Sequence, residues 1–153
     1  MATVEGSAQG LTPAPFAAYD RHRLALGVPD GSRDLVIEKS ILLENGFEEL
    51  HGVSFTKGCF VGQELTARTK HRGLIKKRLV PVRVRGPLPE PGTPVTRGGR
   101  DAGEMRSGSG EDGLALLRLE QLTAEATGAS PLQAGDAVLS PVLPPWLSLA
   151  AET

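Results

Sequence analysis

One cysteine, one tryptophan and one tyrosine occur in 153 residues, beside four phenylalanines. A single thiol closes no intrachain disulfide, so the chain reads as a protein of a reducing compartment, with the cytoplasm as its expected location. One thiolate also cannot hold an iron–sulfur cluster by itself, since a cluster takes several. Histidine is scarce too. His22, His51 and His71 form no recurring ligand spacing with each other or with the cysteine, and no metal site is expected. No apolar run is long enough to span a bilayer, so no membrane contact is expected. The start, MATVEGSAQG, has neither the basic beginning nor the apolar stretch of a secretory signal. A net charge of −1 gives no global attraction to nucleic acid or lipid.

What the chain does have is glycine and proline, 19 and 12 residues, which favour turns and short strands over long helices. It also has an uneven distribution of charge. Between Thr66 and Arg85 lie 8 of the 17 lysines and arginines with no acid among them. Beyond Gly110, Glu111, Asp112, Glu120, Glu125, Asp136 and Glu152 face only Arg118.

Residues 1–15 read as a tail, and the mixed apolar and charged positions of 16–26 as a short helix stopped by Gly27 and Pro29. LVIEKSILLENG, residues 35–46, fits a strand by its β-branched residues and a helix by its spacing, and both stay open. QELTARTKH is mostly helix-forming, with Glu64 and Arg68 in the favourable i, i+4 order and Gly73 as its stop. After Gly73 the period changes. KKRLVPVRVRG alternates, with Pro81 pointing to an edge or bulge, and GTPVTRGG, AGEMRSGSG, GLALLRLEQL and PLQAGDAVLSPVL follow between glycine turns. The fold class expected is α+β: a short helical unit over 16–74, a small antiparallel β-barrel over 75–147, and a tail over 148–153.

The one cysteine, Cys59, stands in KGCFVGQEL at or just before the expected helix amino terminus, two residues after Lys57. A helix terminus and a cation both stabilise a thiolate, which is the nucleophilic or ligating form. The plain alternative is a small buried hydrophobe. A Cys–His pair of Cys59 with His51 or His71 is a further possibility that no spacing enforces. The basic stretch 66–85 could meet a phosphate, an acidic partner or RNA, or form a solvated face with lysines guarding a sheet edge. It has no interleaved aromatics on which bases could stack.

The unbroken string Lys57-Gly58-Cys59-Phe60-Val61-Gly62-Gln63-Glu64 closely resembles the K-G-C-[FY]-x-G-Q-E signature of the YgfZ family of folate-binding proteins, relatives of the glycine cleavage T-protein, an aminomethyltransferase. Arg68 and Arg72-Gly73 resemble the family's continuation. Arg23, Gly27-Val28-Pro29 and Glu44-Asn45 resemble its upstream elements, and Gly103-Glu104-Met105 and GLALLRLE its barrel strands. Only 22 residues precede Arg23, where the family carries a folate-binding region, so the chain resembles the carboxy-terminal portion of such a protein.

The resemblance implies an accessory protein for assembling or repairing iron–sulfur clusters, linked to tetrahydrofolate, with radical enzymes that modify tRNA among its clients. Cys59 would be the reactive thiol. Lys57, Gly58, Cys59, Gln63 and Glu64 would line the folate site, and Glu44 would face the pterin. The alternatives are a folate-dependent aminomethyl or one-carbon transferase, and a module that docks protein or tRNA.

Overall fold

The computed structural model describes residues 13–58, 61, 63–71, 75–123, 130–147 and 149. Helix α1 spans Phe16–Leu26, α2 spans Gln63–His71, and 3-10 turns span Leu42–Asn45 and Leu119–Gln121. Six strands follow: β1 Lys77–Arg85, β2 Pro94–Arg97, β3 Arg100–Ser109, β4 Asp112–Arg118, β5 Leu132–Ala134 and β6 Ala137–Pro141. They close an antiparallel barrel in the order β1-β4-β3-β2-β5-β6, so the fold is α+β with a small barrel.

The barrel forms because its strands alternate around one interior. Val80, Val82 and Val84 of β1 point inward with Val95, Met105, Ala115, Leu117, Leu132 and Leu139. The intervening Leu79, Leu114 and Leu116 point outward and are nevertheless buried, because Leu24 of α1 packs on them. That second contact explains why GLALLRL is apolar on both faces where an exposed barrel strand would alternate. Pro81 carries no N–H, and it sits one residue before the β1–β6 ladder begins at Val82. Its carbonyl accepts from Val142 N–H at 2.8 Å.

Glycine in the left-handed region ends α1. Gly27 has φ 75°, its N–H reaches Leu24 O, and Val28 N–H reaches Arg23 O, the paired bonds of a Schellman stop. The segment 35–46, fitted equally by strand and helix in the sequence, is neither: turns lead into the 3-10 turn, which Gly46 stops in the same left-handed way. Val36, Ile37, Ile41 and Leu42 are exposed, and only Leu43 is buried among its large apolar residues. The expected stop of α2 at Gly73 lies outside the described residues.

Two devices stand out among those that fasten this irregular part to the barrel. The first is a buried ionic cluster. Arg23 of α1 donates to Asp20 at 2.7 Å, to Asp34 at 2.8 Å and to Ser107 Oγ of β3 at 2.9 Å. Asp34 also accepts the Ser107 N–H at 2.9 Å, and Arg33 closes on Asp20. The second is Trp146, beyond β6. Its Nε1–H donates to Leu26 O at 2.8 Å, and its ring lies so near Gly27 and Gly46 that a Cβ there would come within 2.9 Å and 3.1 Å of it.

Candidate functional site

The motif segment lies at the end of the loop that leads into α2. Lys57 and Gly58 are exposed, as are Val61, Glu64 and Leu65. Cys59, Phe60 and Gly62 lie outside the described residues. The helix begins at Gln63, four residues after the cysteine in the chain.

Gly58 holds φ 91°, and an added Cβ would meet nothing within 4 Å. The glycine is therefore fixed by its backbone conformation and not by crowding, and it leaves the main chain open to close approach. Gln63 is half-buried as the first residue of α2. Glu64 forms the expected i, i+4 ion pair with Arg68, and both side chains are well exposed. Val61 and Leu65, apolar positions on one side of the motif, face solvent.

Glu44 lies in the 3-10 turn on which α2 packs, so the fold brings the turn and the motif helix together. The carboxylate is buried, and its Oε1 accepts the N–H groups of Lys76 and Lys77 at 3.3 Å and 3.2 Å. One oxygen thus holds the entry to β1, a fixed structural duty that the sequence did not reveal. Asn45 beside it is also buried and donates to Ile41 O at 2.8 Å.

The basic stretch is less available than its sequence implied. Arg68 pairs with Glu64, Lys70 with Glu48, Arg78 with Glu49 and Arg83 with Asp112. Lys70 also stands over the Phe55 ring, 4.4 Å from its centroid. Three of these four acids come from segments remote in sequence, so half of the basic residues in an acid-free window of sequence are neutralised by the fold. His51 adopts φ 59° at an exposed turn. Its pairing with Cys59, and that of His71, lies outside what the described residues show.

Sequence reasoning missed the Arg23 cluster as a unit. Arg23 stood out only through resemblance, yet Asp20 three residues before it and Asp34 after the Pro29 turn were readable as partners for a buried guanidinium. Here Arg33, and after it Arg23, hold the Asp20 carboxyl below its ordinary range against the opposing effect of burial.

Residues 76–149 match the family model described as CAF17, C-terminal beta-barrel domain. The barrel is of a known kind. Over 143 residues the chain is 43% identical to iron-sulfur cluster assembly factor IBA57, mitochondrial, of Mus musculus, covering 88% of this chain and 39% of that protein. Against the Homo sapiens protein of the same name it is 50% identical over 109 residues, covering 68% and 31%. Against the homologue from Neosartorya fischeri it is 37% identical over 145 residues, covering 77% and 32%. The chain thus spans between 31% and 39% of the length of these three relatives. The similarity is to IBA57 and CAF17 by name, where the motif pointed to YgfZ. The relatives' names also say mitochondrial, where the sequence pointed to the cytoplasm. A single cysteine argues for reducing surroundings and gives no address.

Proposed function

We propose that this chain serves iron–sulfur cluster assembly as an accessory factor of the IBA57 kind, with Cys59 as the thiol that reacts or contacts the cluster. The observation that carries the reading is the intact KGCFVGQE signature in a chain 43% identical to a named assembly factor. The exposed residues on either side of the cysteine support it, because a thiol that exchanges a cluster must be reached by another protein. One cysteine cannot hold a cluster alone, so the remaining ligands would come from the donor or the client. Mitochondrial residence follows from the same relatives and belongs to the same proposal.

Tetrahydrofolate belongs to the reading as the ligand the motif implies. The residues fit one wall of such a site. Gly58 leaves its backbone approachable, Glu64 is exposed, and Lys57 and Gln63 flank the cysteine. Glu44 lies in the adjoining turn with one carboxylate oxygen already engaged. A small ligand gains affinity from burial on several sides, so this wall would need a second surface opposite it. When bound, the folate would supply a pterin ring with hydrogen-bonding groups for that wall. Radical enzymes that modify tRNA remain proposed clients, and the one-carbon transferase reading draws no support from the relatives' names.

The test is reconstitution of an apo client with iron and sulfide, with and without this chain, beside Cys59→Ala. Faster or fuller cluster formation that Cys59→Ala abolishes would uphold the reading. No stimulation, or equal stimulation by the variant, would end it. Calorimetric titration with tetrahydrofolate decides the folate part separately, since the thiol's role does not depend on it.

A further inference from the structure

The loop GPLPEPG, which joins β1 to β2, places three of the chain's 12 prolines within residues 87–91. It is pinned to the barrel. Thr93 donates its N–H and its hydroxyl to Glu90 O at 3.1 Å and 2.6 Å, and Gly92 N–H donates to Met105 O at 2.8 Å. Leu88 rests on Gly108 of β3, where a Cβ would come within 2.7 Å of its Cδ1. Between this loop, β3 and the turn that carries Arg33 lies a cavity of about 250 Å³. Leu88, Pro89 and Pro91 give it an apolar wall, and Arg33, Glu90 and Ser107 give it polar groups.

Two of those polar groups are held in place by the buried ionic cluster. Arg33 donates two N–H groups to the Asp20 carboxylate, at 2.7 Å and 3.1 Å, and a guanidinium has three more. Ser107 Oγ accepts from Arg23, and its own hydrogen has no acceptor among the described residues. Both groups therefore offer hydrogens to an acceptor. An anion is the wrong acceptor here. Asp20, Asp30 and Asp34 act on Arg33 and Glu90 stands in the lining, so four carboxylates oppose Arg23 and Arg33. Glu90, which is exposed, accepts a hydrogen where the other two groups donate.

We propose that this cavity is a binding site for a small uncharged aromatic carboxamide. Its carbonyl oxygen accepts from Arg33 and Ser107, and its N–H donates to Glu90. A guanidinium plane and the flat rings of proline both pack against an aromatic face. The volume is below the about 300–1,000 Å³ of sites for drug-sized ligands, so the occupant is one ring with a short substituent. The walls are fixed beforehand, which lowers the cost of ordering them on binding. No described lining residue belongs to the KGCFVGQE segment, so this site and the assembly reading stand or fall separately.

The experiment is a titration of the whole chain, 15N-labelled, with benzamide, beside benzoate and cyclohexanecarboxamide. Saturable amide shifts centred on Arg33, Glu90, Ser107 and Gly108 are expected. Benzoate brings a negative charge on the same ring and should bind more weakly by about tenfold. Cyclohexanecarboxamide lacks the flat ring and should bind more weakly by about threefold. Arg33→Lys keeps a cation for Asp20 and loses the guanidinium plane, so benzamide affinity should fall by about threefold in a folded chain. Shifts that do not saturate, either control bound as tightly as benzamide, or affinity unchanged in both Arg33→Lys and Pro89→Ala would overturn the proposal.

Discussion

The barrel and the segment before it are built on different physics. Of the 18 buried hydrophobic residues among those described, 16 lie between Leu79 and Leu139, and only Leu24 and Leu43 come from the earlier segment. Of the 12 exposed large hydrophobics, nine lie between Phe16 and Leu65. Buried polar groups show the opposite bias, with Asp20, Arg23, Asp34, Glu44, Asn45 and Thr69 in the earlier segment and only Arg106 and Ser107 in the barrel. The barrel stands on apolar packing. The segment that carries the motif is held to it by ions, a tryptophan and capped turns, and it keeps apolar side chains on view. Function by contact with another surface suits the second region, and rigid support suits the first.

That division is most sharply tested at Arg23. Arg23→Ala removes the cation facing Asp20 and Asp34, and Asp34 is fully buried. Asp20 keeps Arg33, but stranding the buried Asp34 carboxylate should cost about 3–5 kcal/mol. Amide exchange should show residues 16–58 losing protection while the barrel strands keep theirs. Equal loss in both regions would show one cooperative unit and break the comparison.

Acid should loosen the same cluster by degrees. The Asp20 carboxyl titrates below its ordinary value in the folded chain, because Arg33 and then Arg23 favour the anion. Above the ordinary carboxylate range the group is ionised whether folded or unfolded, and its contribution is complete. As pH falls through that range the unfolded chain takes up the proton first, and the stabilisation drains away until the folded carboxyl is also protonated. Exchange protection of α1 should therefore fall in acid, and the fall should be smaller in Asp20→Asn. An identical acid response in that variant would remove Asp20 from the account.

The tryptophan clasp should matter less than the ions. Trp146→Ala deletes the ring that fills the slot beside Gly27 and Gly46, together with its bond to Leu26 O. The ring is half-buried, so a loss of about 2 kcal/mol is expected by thermal or urea unfolding. Smaller still is Glu44→Ala, which leaves the amides of Lys76 and Lys77 to water, at about 1–2 kcal/mol. Faster exchange at those two amides would identify the cause. Unaltered exchange there would assign Glu44 no structural duty.

Much of this was legible beforehand, and the illegible parts share a reason. The strands from Lys77 to Pro141 and the helix Gln63–His71 followed from alternation, glycine turns and helix-forming residues, which are local signals. LVIEKSILLENG misled because its apolar residues imply burial and the fold exposes four of them. The basic window 66–85 misled because its neutralising acids, Glu48, Glu49 and Asp112, arrive from elsewhere in the chain. At the candidate site, resemblance marked Glu44, and only the fold showed which amides it holds. Tertiary pairing of charges leaves no trace in a local pattern.

Glu64 gives the smallest expected change in stability and the cleanest separation of function from fold. Its pair with Arg68 is exposed on both sides and lies within one helix. Solvent screens such a pair, so Glu64→Gln should change stability by less than about 0.5 kcal/mol. The variant's unfolding curve and its exchange protection should match those of the parent chain. Any effect on tetrahydrofolate binding or on client reconstitution would then be read directly, without a stability correction. If Glu64 belongs to the working surface, folate affinity or assembly should fall several-fold while the fold is unmoved. If both stay level with the parent chain, Glu64 is a helix surface charge, and the motif's function narrows to Cys59 and the residues immediately around it.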